Sequence, residues 1–163
     1  MKYTIKGLKS FIGNEGHGYN VSLYRDGKRV AFIIDDASGG EVDFQWLDWK
    51  GGHSLEEMTL LKFLEGKMCP PCFEGDTESQ MDPSGFVASL IDDYEIDKKL
   101  RALCKKYTLI RITGDPEDCY RTIKQPFTPN TRAAIIMSAA RSGKEVIEFI
   151  NETLAQKDLE KLC

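Results

Sequence analysis

With 163 residues, 41% of them hydrophobic and 29% charged, the chain has the make-up of an ordinary folded domain and enough length to bury a core. It contains no run of about 18 apolar residues, so no membrane-spanning helix is expected, and residues 1–6 lack the apolar stretch of a secretory signal, so a cytoplasmic protein is expected. The net charge of -4 is split unevenly: residues 1–97 carry 9 Lys and Arg against 18 Asp and Glu, residues 98–163 carry 13 against 8, and the two halves are expected to face different partners or each other.

Residues 2–48 read as an antiparallel β-meander of about four strands. Tyr3 and Ile5 share one strand face, Leu8, Ser10 and Ile12 run in the opposite phase, and a β-bulge at Gly7 reconciles them. Tyr19, Val21 and Leu23 then alternate with Asn20, Ser22 and Tyr24. Asp26-Gly27 follows, the pair suited to a type I′ hairpin turn, which needs positive φ at both central residues. Val30 to Ile34 is apolar on both faces and predicts a central strand, and Val42, Phe44 and Trp46 predict a third with one wet face.

The remainder, residues 54–163, reads as a helical and hairpin part of the same single α+β domain. Ser54-Leu55-Glu56-Glu57 is a capping box, and Leu55, Met58, Leu61 and Leu64 are the expected buried stripe of a helix that Pro70-Pro71 would end. Residues 73–81 are poor in apolar groups and predict a mobile loop. Asp82-Pro83 predicts a second helix start through Val87, Leu90, Ile91 and Tyr94, with Ile96, Leu100, Leu103 and Cys104 a further turn set, either separate or the same helix with a break. Residues 107–113 and 119–125 predict a second hairpin. Thr128-Pro129 opens a helix through Ala133, Ile136, Met137 and Ala140, and residues 142–145 break and recap it into a last helix carrying Ile147, Ile150 and Leu154.

Four features carry candidate chemistry. If the strands run up and down, the loops 13–18 and 35–40 leave the sheet at the same end, about 10 Å apart at their roots. Glu15, His17, Asp35 and Asp36 would then converge, either as ligands and base of a metal site or as acid/base groups. Gly13, Gly16, Gly18, Gly39 and Gly40 would let backbone amides approach an anion; equally, glycine and aspartate are what turns are made of. Cys69-Pro70-Pro71-Cys72 has the spacing of half a zinc site or a redox pair, without a second pair at matching spacing, and the five cysteines are otherwise expected as free thiols.

Lys98, Lys99, Arg101, Lys105, Lys106, Arg111, Arg121, Lys124 and Arg132 form a basic segment with Tyr107 and Tyr120 among them, suited to gripping phosphates of a nucleotide or nucleic acid, or else a solvated face paired with the acidic stretch before it. That stretch, residues 68–97, has no Lys or Arg and includes Glu74, Asp76, Glu78, Asp82, Asp92, Asp93, Glu95 and Asp97, a charge pattern able to imitate a DNA backbone. Residues 141–145 are no P-loop, because Ser138 and Glu145 stand where Gly and Ser/Thr are needed.

Phe11-Ile12-Gly13-x-Glu15-Gly16-x-Gly18-Tyr19-Asn20, Asp26-Gly27-Lys28-x-Val30-Ala31 and Asp35-Asp36-x-x-Gly39-Gly40 together resemble uncharacterised small proteins carried by bacteriophages and mobile elements, over about the first third of the chain. The resemblance implies an accessory protein that binds and disables a host factor, and it brings no cofactor or assigned residue. The expected function is therefore a non-enzymatic binding module that sequesters an anionic, nucleotide-like ligand or blocks a host or anti-phage defence protein. Its rivals are a metal-dependent hydrolase or nuclease built on Glu15, Asp35 and Asp36 with His17 as base, and an inhibitor that mimics DNA through residues 74–97. Neither a cofactor nor an oligomeric state is named by the residues.

Overall fold

Alternating side chains and short turns produce the expected meander: β1 (Tyr3–Gly13), β2 (Gly16–Arg25), β3 (Lys28–Asp35) and β4 (Asp43–Trp46) form one antiparallel sheet in the order β1-β2-β3-β4. These strands belong to a computed structural model that describes residues 1–69, 77–117 and 119–160. Asp26 and Gly27 take φ of 48° and 83°, the left-handed pair that the β2–β3 turn requires. The register of β1 against β2 slips between Lys6 and Lys9, where the bulge at Gly7 was expected. In β3, Val30, Ala31 and Ile33 are buried and Phe32 and Ile34 half-buried, as befits an inner strand.

The next element, α1 (Leu55–Leu64), starts where the capping box predicts: Ser54 is the N-cap and its hydroxyl accepts from Glu57 N at 3.0 Å. Its buried side is only partly the one the spacing suggested. Of the expected stripe Leu64 is buried, while Leu55, Met58 and Leu61 are exposed, and Leu60 and half-buried Phe63 join Leu64 in the core. Two polar anchors agree with this rotation. The Arg25 guanidinium at the end of β2 donates to the Glu56 carboxylate at 2.7 and 2.8 Å, and Glu56 lies on the same helical side as Leu60, Phe63 and Leu64. At the helix start, Asp48 accepts from Ser54 Oγ and from Glu56 N.

The helix also ends earlier than the prolines would end it. Glu65 is the C-cap and Gly66 takes φ of 73°, a left-handed exit that suits glycine. Beyond it, β5 (Met68–Cys69) pairs with β6 (Ser79–Gln80), so part of the segment expected as a loop is hydrogen-bonded, while residues 70–76 lie outside the described residues. Asp82 then caps α2 (Pro83–Cys104), accepting from Gly85 N at 2.6 Å. The two turn sets of the sequence form this one helix.

The chain divides into two compact units, Met1–Tyr94 and Glu95–Cys163, with the division inside α2. The first unit has a core of Val21, Leu23, Val30, Ile33, Leu60, Leu64, Phe86 and Val87, with Tyr3, Phe63 and Phe86 in mutual ring contact at 5.0 to 5.7 Å. In the second, β7 (Thr108–Ile112) and β8 (Arg121–Ile123) form the expected hairpin, followed by α3 (Pro129–Arg141), β9 (Val146–Phe149) and α4 (Ile150–Glu160). Residues 142–145 break α3 as expected and do not recap it. A third strand follows, because Val146 and Phe149 pair with Ile112 and Ile110 and bury against them. In α3 the expected face is again outward: Ile136 and Met137 are exposed and Ile135 packs on the cluster of Ile110, Ile112 and Phe149.

The rotation of α1 is open to direct measurement. Leu60→Ala should cost about 2 to 5 kcal/mol in urea unfolding, since it opens a cavity in a filled core, whereas Leu55→Ala should stay within about 0.5 kcal/mol of the parent. Equal losses would mean that the helix faces the other way.

Candidate functional site

The two glycine-bearing loops do meet at one end of the first sheet. The turn between β1 and β2 is held to the loop after β3 by Glu15 N donating to Ala37 O at 2.9 Å. Gly13 leaves room for the buried Ala37 side chain, and a Cβ there would lie 2.6 Å from Ala37 Cβ. At Gly18 the ring of Phe11 and the Asp35 carbonyl fill the space a side chain would need. Gly39 sits at φ 76° against the Glu15 carboxylate, and it is the backbone angle that disfavours a Cβ there, since the end of the exposed Glu15 side chain can move aside.

The carboxylates of this pair are employed in holding the loop. Asp35 Oδ1 accepts from Ala37 N at 2.9 Å, and Asp36 Oδ1 accepts from Ser38 N at 3.0 Å and Ser38 Oγ at 2.6 Å. These donors from Ser38 hold the Asp36 carboxyl below the usual carboxylate range. Ala37 itself is at φ 54°, unusual for a residue with a Cβ, and the Asx-type bonds on either side keep it there. His17 is exposed in β2, opposite Ile12, and Gly16 and Gly40 are exposed. Among the described residues, no hydrogen bond joins His17 to Glu15, Asp35 or Asp36, and no group of three His, Cys, Asp or Glu stands close enough to hold a metal ion. The space that the glycines free is taken up by Ala37, Phe11 and Glu15, in other words by the protein's own atoms.

The basic segment divides by residue type. Arg101 bonds Asp97 at 2.5 Å and Asp158 at 2.6 Å; Arg111 bonds Glu148 at 3.2 Å; Arg121 grips Asp115 at 2.7 Å; Arg132 bonds Glu152 at 2.8 Å. The Arg121 guanidinium pushes the Asp115 carboxyl down to about 2. Lys98, Lys99, Lys105, Lys106 and Lys124 remain exposed. Of the acidic stretch, Asp82 caps α2 and Asp97 is paired, whereas Asp92, Asp93 and Glu95 are exposed; Glu74 and Asp76 lie outside the described residues. The Cys69-x-x-Cys72 spacing likewise falls partly outside them, and Cys69, Cys104 and Cys119 are free thiols.

A surface that the residue pattern concealed lies on α1. Leu55, Met58 and Leu61 form an outward stripe at three-residue spacing, 48 to 68% exposed. Leu47 and Trp49, 60 and 56% exposed, flank Asp48, whose bonds to Ser54 and Glu56 tie that loop to the start of the helix. The only sequence signal was the stripe itself, which spacing shows without showing which way it faces.

No family model, no curated protein and no solved structure matches the chain. None of the helices among the described residues is long and apolar enough to cross a membrane.

Two outcomes are expected at these positions. Gly39→Ala should lower the melting temperature measurably, through a forced left-handed alanine, while Gly40→Ala, whose Cβ would meet only Ser38 Oγ at 3.8 Å, should not. The Asp115 carboxyl is depressed in the folded chain, so the stability it contributes is complete above about pH 4 and is lost as pH falls through about 2. The gap in melting temperature between the parent and Asp115→Asn should therefore close as the pH approaches that value.

Proposed function

We propose that the chain is a non-enzymatic protein-binding module, an accessory protein that occupies and disables a host or anti-phage defence protein. The observation that carries this reading is the exposed apolar face of α1 and its preceding loop. Single exposed apolar residues are ordinary, but Leu47, Trp49, Leu55, Met58 and Leu61 are gathered at one helix and its entry, and tryptophan and methionine are enriched in the buried centres of protein contacts. Residues 1–97 hold twice as many acidic as basic groups, so the fitting partner presents an apolar centre with a basic rim.

Sequestration of an anionic small ligand draws less support. The loop pair offers carboxylates where an anion would need donors, and the arginines of the basic segment are engaged with Asp and Glu. A metal-dependent hydrolase draws less again, since Asp35 and Asp36 are turned to their own loop.

Affinity purification from the host, with the parent chain and a Trp49→Ser, Met58→Asp double variant side by side, tests the reading. The parent should retain one defined protein, and the variant should bind that protein at least about tenfold more weakly, about 1.4 kcal/mol, with its melting curve unchanged. Turnover of a nucleotide or nucleic acid that His17→Ala abolishes would overturn it.

A further inference from the structure

A second surface, independent of α1, is the outer face of the first sheet, the side turned away from the core of Val21, Leu23 and Ile33. Val30 to Ile34 is apolar on both faces, and a strand of that kind calls for cover on both. Only one face has it. Phe32 and Ile34 belong to the other, and among the described residues neither is part of a core cluster.

The register sets seven residues of this face in two adjoining rows. Lys6, Ser22, Phe32 and Gln45 stand side by side across all four strands, and Thr4, Tyr24 and Arg29 across the first three. The rows are joined diagonally: Lys6 Nζ lies 4.7 Å from the centre of the Tyr24 ring and the Arg29 guanidinium 5.5 Å from that of Phe32. Tyr24 and Phe32 are diagonal neighbours on adjacent strands, about 7 to 8 Å apart.

No acidic residue stands in either row, although residues 1–97 carry 18 Asp and Glu against 9 Lys and Arg. Lys9 adds a third cation in the next row, three strand spacings, about 14 Å, from Asp43 at the far end of that row. Asp43 accepts from Gln45 Nε2 at 2.9 Å, and Asp26, in the turn beyond Tyr24, accepts from Lys2 N at 2.8 Å. The acidic groups therefore stand at two edges of a patch whose interior is basic and aromatic.

We propose that this face binds single-stranded nucleic acid, with a base on each of Tyr24 and Phe32 and phosphates at Lys6, Lys9 and Arg29. The occupant must offer flat π surface and negative charge in alternation, and a single strand does so at every nucleotide. A duplex keeps its bases inside its own stack, and an acidic protein segment would meet the cations and leave both rings without a partner. In the free chain Lys6 and Arg29 lie over the rings, but both side chains are exposed, and an exposed cation contributes less on a ring than a stacked base does. The cations thus yield the ring faces to bases and turn to phosphate. The hydroxyl of Ser22 and the amide oxygen of Gln45, in the row of Phe32, stand within reach of a base edge.

Two fluorescent probes of about 12 nucleotides, oligouridylate and oligothymidylate, titrated with the full chain at low salt test this. At least one should bind saturably, with a log–log salt slope of about -2, which is about 0.7 for each of three phosphates, and the tighter of the two names the sugar. Lys6→Gln and Arg29→Gln should each lower that slope by about 0.7. Tyr24→Thr, which keeps a good strand former, should weaken binding at least about tenfold with the slope unchanged. In the isotopically labelled parent the amide shifts should centre on residues 4–6, 22–24 and 29–32, a readout that stands whether or not a variant folds. Binding of neither probe, equal binding of a duplex of the same length, shifts centred on residues 98–124, or parental affinity in a folded Tyr24→Thr variant would each overturn the proposal. The Trp49→Ser, Met58→Asp variant should bind both probes as the parent does, so this proposal and the α1 reading fail separately.

Discussion

The burial of Leu60, Phe63 and Leu64 together with the paired hydrogen bonds from the Arg25 guanidinium to the Glu56 carboxylate, one residue type made for a two-pronged grip and the other for receiving it, fixes how α1 lies on the meander. Once Glu56 is turned toward β2, helical geometry carries Leu60, Phe63 and Leu64 to the same side. Leu60 and Leu64 close the core, Phe63 completes an aromatic trio with Tyr3 and Phe86, and the Lys67 ammonium lies 3.3 Å from the centre of the Phe63 ring. The same rotation turns Leu55, Met58 and Leu61 to water. The apolar face on which the proposed function stands is thus the reverse side of the burial of Leu60, Phe63 and Leu64, an orientation that the ion pair and the cap also satisfy.

In the second unit a single amide has the comparable part. Asn151 Oδ1 accepts from Leu109 N, and its Nδ2 donates to Cys104 O and Tyr107 O, so one side chain joins the end of α2, the start of β7 and the start of α4. In this unit Arg101, Arg111, Arg121 and Arg132 are bound to carboxylates, while Lys98, Lys99, Lys105, Lys106 and Lys124 are exposed. The division follows from their chemistry: a planar guanidinium gains from a fixed bidentate partner, while a flexible, strongly hydrated ammonium gains little from being held. What reads in one dimension as a continuous basic tract is, in three, a scaffold of ion pairs with lysines at its surface.

Much of this architecture was legible in the residues. The Asp26-Gly27 turn, the bulge near Gly7, the caps at Ser54, Asp82 and Thr128 and the hairpin of β7 and β8 all arise from neighbours in the chain, and all appear where the pattern places them. The meeting of the loops 13–18 and 35–40 followed from strand order, and Glu15 N on Ala37 O realises it. Less legible was what the loop carboxylates do once there. Asp35 and Asp36 satisfy amides two residues away, a local use that composition does not separate from a ligand site. The strand β9 was hidden for a related reason: Val146 to Phe149 carries a bulge, which removes the alternation by which strands are recognised.

By itself, then, the sequence determined where elements begin and turn and that the early strands run back and forth, because caps, turns and two-residue alternation are interactions of neighbours. Only the tertiary structure decided which side of α1 and α3 is buried, which charges are spent on one another, and that Val146–Phe149 is a strand paired with β7. These depend on pairs such as Arg25 with Glu56, Arg132 with Glu152 and Ile110 with Phe149, brought together from 20 to 39 positions apart. An apolar stripe specifies that a helix has two faces; only the partner that folds against it specifies which one is inside.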